Sequence, residues 1–481
     1  MVALNMYRGN GGKDAAETFS KIKTILAERY QPIIAPAFDA VGSILGQSGS
    51  DLQSLSLSSP YFSERDDVID GEIFYDAEGG AIFALCLKGV ERRSFLSHIN
   101  GGSEQVADEA QIVLSFVSKE WNFDNDPPAV RTASDILGIP FTRFTYSSTR
   151  FNELKAEREA APEATEEEMN ASNILCDKVL RALAIAVKAS GGLLIRDLAK
   201  QLPAEMRGAS EELTAKLTAA GLIDSEVVVV CAKSQAQVAR VPNRTVIGEM
   251  ARLGMKCACG RSISDEKIEE ALTITELGRN LLDKARWLTI LVVDMLQRFG
   301  VSPDNILIEQ TVGGDEIDCL ANISGELVLF ELKDKEFSLG NAYSFGAKVA
   351  IIKPAHRVII TTEHIGGDAR EHFKRARLAE SSEHDGFYRF AEPTQSKAND
   401  FQYIEGVENL EQGIRKLADS IYKSDAIRLL SEVSTRFSLG GSALVGAIEN
   451  IAEASSKSHS RPRRRVRLAQ AAEQVPDPAA E

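Results

Sequence analysis

Apolar residues recur at helical spacing over 15–29, and runs at 72–75 and 81–88 alternate as strands do, so residues 1–150 are expected to form a mixed α/β domain. The stretch 152–170 is dense in Glu and Ala, with Glu166, Glu167 and Glu168 adjacent, and predicts a solvated helix or an acidic linker over 151–170. From 173 to 230 the pattern gives a long helix, then Gly191-Gly192, a short helix over 193–202 and a third over 211–220 that Gly221 ends as a C-cap. The apolar run 227–230 follows as a strand. Beyond 285 the order sharpens to a helix at 287–299, strands at 305–310, 316–321 and 326–333, a helix at 339–349 and a strand at 356–362, which is αβββαβ. Gly313-Gly314 and Ser324-Gly325 supply the hairpin turns. Finally, Ile414, Leu417, Ile421, Ile427, Leu430 and Val433 recur at helical spacing, which predicts a helical cap or homodimerisation unit over 396–456.

Composition narrows the class. A chain of 481 residues is too long for one core, so about three domains are expected. With 44% hydrophobic and 26% charged residues it reads as globular and soluble. The longest apolar runs, such as 287–293, fall far short of the ~20 residues that span a bilayer, so no membrane is expected as partner. Residues 1–13 carry Gly and Asn where an export signal would be apolar, which makes the cytoplasm the expected location. Six cysteines are too sparse for a disulfide framework. A net charge of −15 excludes a uniformly basic nucleic-acid binder, so contact with DNA must come from local patches. Two stand out. Arg370, Lys374 and Arg377 share one face of a helix over 368–379, although Glu371 and Glu380 also permit an ordinary solvated face. The basic tail at 457–467, with Arg463, Arg464 and Arg465, has six basic residues and no acid, and is expected to be disordered and drawn to nucleic acid.

The three helices and following strand over 171–230 resemble a winged helix-turn-helix across about sixty residues. The third helix carries Glu211, Glu212 and Lys216 without an Arg cluster, so joining protein to protein stands beside reading DNA as its role. Next, over 231–284, comes a cysteine-bearing, zinc-ribbon-like insert. Twenty-five positions after Cys231 begins Lys256-Cys257-Ala258-Cys259-Gly260, a Cys-x-Cys-Gly knuckle that can turn two thiolates toward one tetrahedral Zn²⁺. A fourth ligand is needed, and Lys233 and Ser234 are not usual ones. A structural zinc site on Cys231, Cys257 and Cys259, a ribbon that has lost a ligand, and three buried unpaired thiols all remain open.

The chemistry concentrates at Asp318 on the second strand of the αβββαβ segment and at Glu331-Leu332-Lys333 ending the third. Residues two apart on a strand share a face, so Glu331 and Lys333 do. The same tripeptide recurs at Glu153 to Lys155, so alone it is unspecific; the buried-strand run 327–330 before the second copy puts two charges at the end of a central strand. A salt bridge between strands is the non-catalytic explanation. Asp318, thirteen residues upstream, favours a metal site.

This constellation resembles the PD-(D/E)xK nuclease superfamily of restriction and repair enzymes over residues 285–391. The resemblance implies a restriction-endonuclease-like core (285–395) in which Asp318 and Glu331 hold Mg²⁺ or Mn²⁺ and Lys333 positions or activates the attacking water. Glu309 is preferred to Glu316 as a further ligand, and the segment 335–348, with Phe337, Asn341, Tyr343, Ser344 and Lys348, lies where that family's next helix adds contacts. Tyr343 and Phe345 also suit a plain core role. The expected whole is a multidomain α/β protein that cleaves DNA, in restriction or defence against foreign DNA, with RNA open as substrate. A non-catalytic DNA-binding regulator is the main alternative. Because no Walker-type phosphate loop occurs, an interaction subunit serving a separate ATPase or helicase is another.

Overall fold

The computed structural model describes residues 2–12, 14–36, 68–88, 110–119, 126–156, 163–312, 315–384, 401–434 and 445. The basic tail with Arg463, Arg464 and Arg465 lies outside them, as does the Gly313-Gly314 turn. The chain is a mixed α/β protein in two compact units, Met1–Phe144 with Asp425–Glu481, and Thr145–Ser424. Among the described residues no helix is long and apolar enough to cross a membrane.

The first unit contains β1 (Ala3–Asn10), α1 (Ala15–Arg29), β2 (Gln31–Pro32), β3 (Val68–Asp76), β4 (Ala81–Lys88), β5 (Gln111–Ser118), α2 (Pro128–Leu137) and β6 (Thr142–Phe144). The strands form one antiparallel sheet in the order β2-β3-β4-β5-β1-β6. Alternation along β3, β4 and β5 brings Phe74, Phe83 and Phe116 to one face, where they stack on each other at 5.1 and 4.9 Å. Phe19, Ile22 and Leu26, spaced at three and four along α1, bury against the same cluster.

The second unit opens with α3 (Thr149–Ala156) and α4 (Glu166–Ile174). The expected acidic linker is therefore structured where it is described. Phe151 and Leu154 of α3 are buried in the cluster that also holds Leu329 and Phe345, because the Glu-rich sequence still places two large apolar residues three apart. Glu166, Glu167 and Glu168 form the first turn of α4, where acids suit the helix dipole, and Thr165 and Glu168 close a capping box.

Then follow α5 (Lys178–Ser190), β7 (Leu193–Leu194), α6 (Ile195–Gln201), α7 (Ser210–Ala219), β8 (Ile223–Val230), β9 (Gln237–Val241), α8 (Arg244–Arg252), β10 (Lys267–Ile274) and α9 (Glu276–Leu282). Gly221, at φ +69°, ends α7 with the Leu222 amide donating to the Leu217 carbonyl, the turn a left-handed residue permits. The expected boundary at 230/231 falls inside one sheet. Strand β8 pairs with β9 on one side and with β10 on the other, and β10 also pairs β7, giving the order β7-β10-β8-β9. The reason is that Val227 and Val229 need an apolar cover, which Val241, Ile247 and Ile263 of the supposed insert provide.

From α10 (Arg286–Arg298) onward the predicted order appears: β11 (Ile306–Val312), β12 (Asp315–Ile323), β13 (Glu326–Lys333), α11 (Leu339–Ile352) and β14 (His356–Thr361). After α12 (Gly367–His384) comes β15 (Phe401–Glu405), inside the stretch expected to be wholly helical. It pairs parallel with β14, so the sheet runs β11-β12-β13-β14-β15, antiparallel on one side of β13 and parallel on the other. The expected helix is present as α13 (Leu410–Ser434), burying Ile414, Leu417 and Ile421.

His356, at the start of β14, is pushed down to about 4 by burial. A histidine kept neutral in the fold contributes stability above its unfolded pKa of 6.5, lost as pH falls toward 4 because the unfolded chain takes up the proton first. Stability is expected to drop by up to about 3 kcal/mol across that window. Urea midpoints measured at pH 6.5 and pH 5 for wild type and His356→Gln test this; equal slopes in both proteins would refute it.

Candidate active site

Along β13 every residue from Leu327 to Leu332 is buried. Leu327 and Leu329 face the cluster containing Leu320 of β12 and Phe345 and Ile352 of α11. Alternation carries Glu331 and Lys333 onto that same face, one and two steps past the apolar residues. The β12–β13 ladder runs in register to Cys319↔Phe330, so Asp318 and Glu331 are the next opposed pair. Opposed residues of antiparallel strands point to the same side, which sets the two acids on one face. The ladder stops there because the Asp318 carboxylate takes the place of a backbone acceptor: its Oδ2 accepts the Leu332 amide at 2.7 Å.

Lys333 Nζ lies 2.8 Å from Glu331 Oε1 and 3.4 Å from Asp318 Oδ2, so one ammonium joins both acids. The other Glu331 oxygen is 2.7 Å from Nζ of Lys348, a buried lysine of α11. Burial and the neighbouring Asp318 raise the Glu331 pKa above the ordinary range against the pull of the two lysines. Burial lowers that of Lys333, but Glu331 and Asp318 outweigh it and the net shift is upward. Two carboxylates and two ammoniums thus balance, with Glu331 and Lys348 buried and Asp318 and Lys333 partly exposed.

Directly after Lys333, Asp334 anchors the strand end. It accepts from Trp287 Nε1 and Thr362 Oγ1, both at 3.0 Å, and pairs with Arg181 Nε of α5 at 3.0 Å. Arg181 also stacks on the Trp287 ring, 5.1 Å from its centroid. Sequence reading missed this linkage, since nothing in local spacing relates residues 181, 287 and 334.

Other candidates are placed elsewhere. Glu309, at φ +50°, is skipped by the β11–β12 ladder and pairs with Arg286 at 3.4 Å, while Glu316 pairs with Lys284 at 2.7 Å. Glu309 is thus not gathered with Asp318 and Glu331 into a three-acid group. Of the basic helix face, Arg370 is bound to Glu405 and lies 4.8 Å over the Tyr403 ring, tying α12 to β15. Lys374 is exposed, and the Arg377 side chain lies outside the described residues. Phe345 is core, whereas Tyr343 is exposed and contacts His372 with ring centroids 4.6 Å apart.

A second cluster can hold a metal. The Sγ atoms of Cys231, Cys257 and Cys259 and a carboxylate oxygen of Glu266 all lie within 4.8 Å of one another. Bonds from the Ser234 side chain and amide hold the Cys231 thiol down at about 6. Glu266 escaped the sequence reading because a search for Cys and His ligands passes over a lone Glu thirty-five residues from Cys231. No known family model, curated protein or solved structure matches this chain, so the functional reading rests on geometry and chemistry.

Proposed function

We propose that this chain is a metal-dependent nuclease that hydrolyses phosphodiester bonds of DNA on a restriction-endonuclease-like core. The observation that carries the reading is the β12–β13 register, which opposes Asp318 and Glu331 on one face with the Lys333 ammonium touching both. Two carboxylates already sharing one cation, with oxygen donors only, suit Mg²⁺ or Mn²⁺, and Asp318 and Glu331 are the residues that would hold it. When bound, such an ion neutralises charge on the non-bridging phosphate oxygens and lowers the pKa of an attacking water.

The protein's own groups do the rest. The Leu332 amide fixes Asp318, and Lys348 fixes Glu331 as a positioning residue. Lys333 keeps its proton through the neighbouring acids, and its charge, held beside both carboxylates, would orient the water and stabilise negative charge developing on the phosphoryl oxygens. Restriction or defence against foreign DNA is the setting that the resemblance implies.

The test is incubation of the purified full chain with supercoiled plasmid, and separately with RNA, in Mg²⁺, Mn²⁺ or EDTA. Plasmid cleavage with either ion and none in EDTA is expected. Cleavage of RNA alone would move the substrate class, and no cleavage of either polymer would overturn the reading.

A further inference from the structure

We propose that Cys231, Cys257, Cys259 and Glu266 form a complete four-ligand site for a structural Zn²⁺ that fastens the 231–266 segment to the β8–β10 sheet.

The site is built by two independent local structures. The β8–β10 register ends at Val230↔Lys267, so Cys231 and Glu266 are the next residues on each strand, delivered to the same end of the sheet. The knuckle brings the other two. Lys256 and Ser262 form a β-bridge, the Cys257 amide donates to the Arg261 carbonyl at 2.9 Å, and the Gly260 amide donates to the Cys257 carbonyl at 2.8 Å. Gly260 sits at φ +91°, a conformation that a side chain would strain. The turn therefore presents Cys257 and Cys259 to the pair from the sheet.

The dimensions fit. Zn–S bonds of about 2.3 Å and Zn–O bonds of about 2.0–2.2 Å in a tetrahedron put ligand atoms roughly 3.5–3.8 Å apart. The four donors all lie within 4.8 Å of one another, so shifts of at most about 1.3 Å reach that spacing, most pairs closing and Cys259 and Glu266, now 2.9 Å apart, opening. The electrostatics fit as well. Glu266 is 5% exposed, yet it is held by the Cys259 thiol at 2.9 Å and the Ala232 amide at 2.6 Å; among the described residues no ammonium or guanidinium lies within ion-pair distance, and the Arg261 charge acts on it only from farther off. A buried carboxylate calls for a cation, which the neighbouring thiols do not supply. Binding would transfer the three thiol protons to solvent and leave three thiolates and the carboxylate on the ion. Four protein ligands leave no open position, which marks a structural site. Its residues are different from Asp318, Glu331 and Lys333, so it stands or falls apart from the nuclease reading.

Untagged full-length protein, purified without chelator, is expected to carry about one zinc per chain by elemental analysis. Replacement of that metal with Co²⁺ should give the intense visible bands of a tetrahedral ion and thiolate-to-cobalt charge transfer. Cys257→Ser should lose the metal. Glu266→Ala should keep the thiolate charge transfer but weaken Co²⁺ and Zn²⁺ binding by more than the roughly 10–100-fold that loss of an outer partner costs, read by competition with a chromophoric chelator. If Cys257→Ser proves insoluble, Co²⁺ titration of the wild-type chain still decides. Wild type that neither carries zinc nor develops the cobalt spectrum would overturn the site, and Glu266→Ala with unchanged affinity would overturn the assignment of its fourth ligand.

Discussion

Asp318→Asn and Glu331→Gln are each expected to lower Mg²⁺-dependent plasmid cleavage by at least about 10³-fold while leaving gel-shift affinity for the same DNA within a few fold. Each substitution keeps the side chain's shape and removes one negative charge. In Asp318→Asn the Leu332 amide can still be accepted by the carboxamide oxygen, so the strand end is retained. In Glu331→Gln the Lys348 and Lys333 ammoniums lose their shared counter-charge, and the group becomes net positive. That repels a divalent cation. Lys333→Ala should also abolish cleavage, but through loss of the positive charge beside the two acids, and so with metal binding preserved. The measurement is single-turnover nicking against Mg²⁺ concentration. Rates equal to wild type in all three variants would place the chemistry elsewhere. A variant whose loss is restored by raising Mg²⁺ has lost affinity for the ion alone.

The second large effect is on stability. Arg181→Ala is expected to destabilise the unit containing the site by about 3–5 kcal/mol, since it leaves the Asp334 carboxylate with a buried charge and no cation. The Arg181 side chain is only 7% exposed and Asp334 15%, so solvent screens the pair weakly. The guanidinium also satisfies the carbonyls of Leu175 at 2.6 Å and Cys176 at 3.2 Å and covers one face of Trp287, all lost together. A thermal transition lowered by roughly 6–15 °C is the expected reading. Adding Asp334→Asn should recover part of it, because the unpaired charge goes while the Trp287 and Thr362 contacts to the side chain can remain. A shift below about 0.5 kcal/mol for Arg181→Ala would show that the pair sits in an effectively wet environment.

Much of the local structure was legible because periodicity is a local property. The run Glu326–Lys333 has the length and apolar density of a buried strand and is one, and the helix expected from Leu339 begins there, capped by Ser338. The cysteine spacing grouped Cys231 with Cys257 and Cys259, and the tripeptide grouped Glu331 with Lys333, since a knuckle and a strand each fix the direction of residues two apart. What sequence could not provide was partnership at long range. Strand β15 is five residues long, half-buried and paired on one side only, so its apolar alternation is too short to outweigh the helical pattern that follows. Glu309 lies opposite Asp318 in the β11–β12 register but has a left-handed backbone and pairs with Arg286, a partnership that local composition does not announce. Glu266 opposite Cys231, Lys348 on Glu331 and Arg181 on Asp334 are all decided by register and packing between elements distant in the chain. The sequence by itself determined most of the segments that became strands and helices, β15 excepted, and which of their faces were apolar. Only the tertiary structure decided which charges met, because that depends on how those apolar faces interlock, and interlocking is a property of the assembled core.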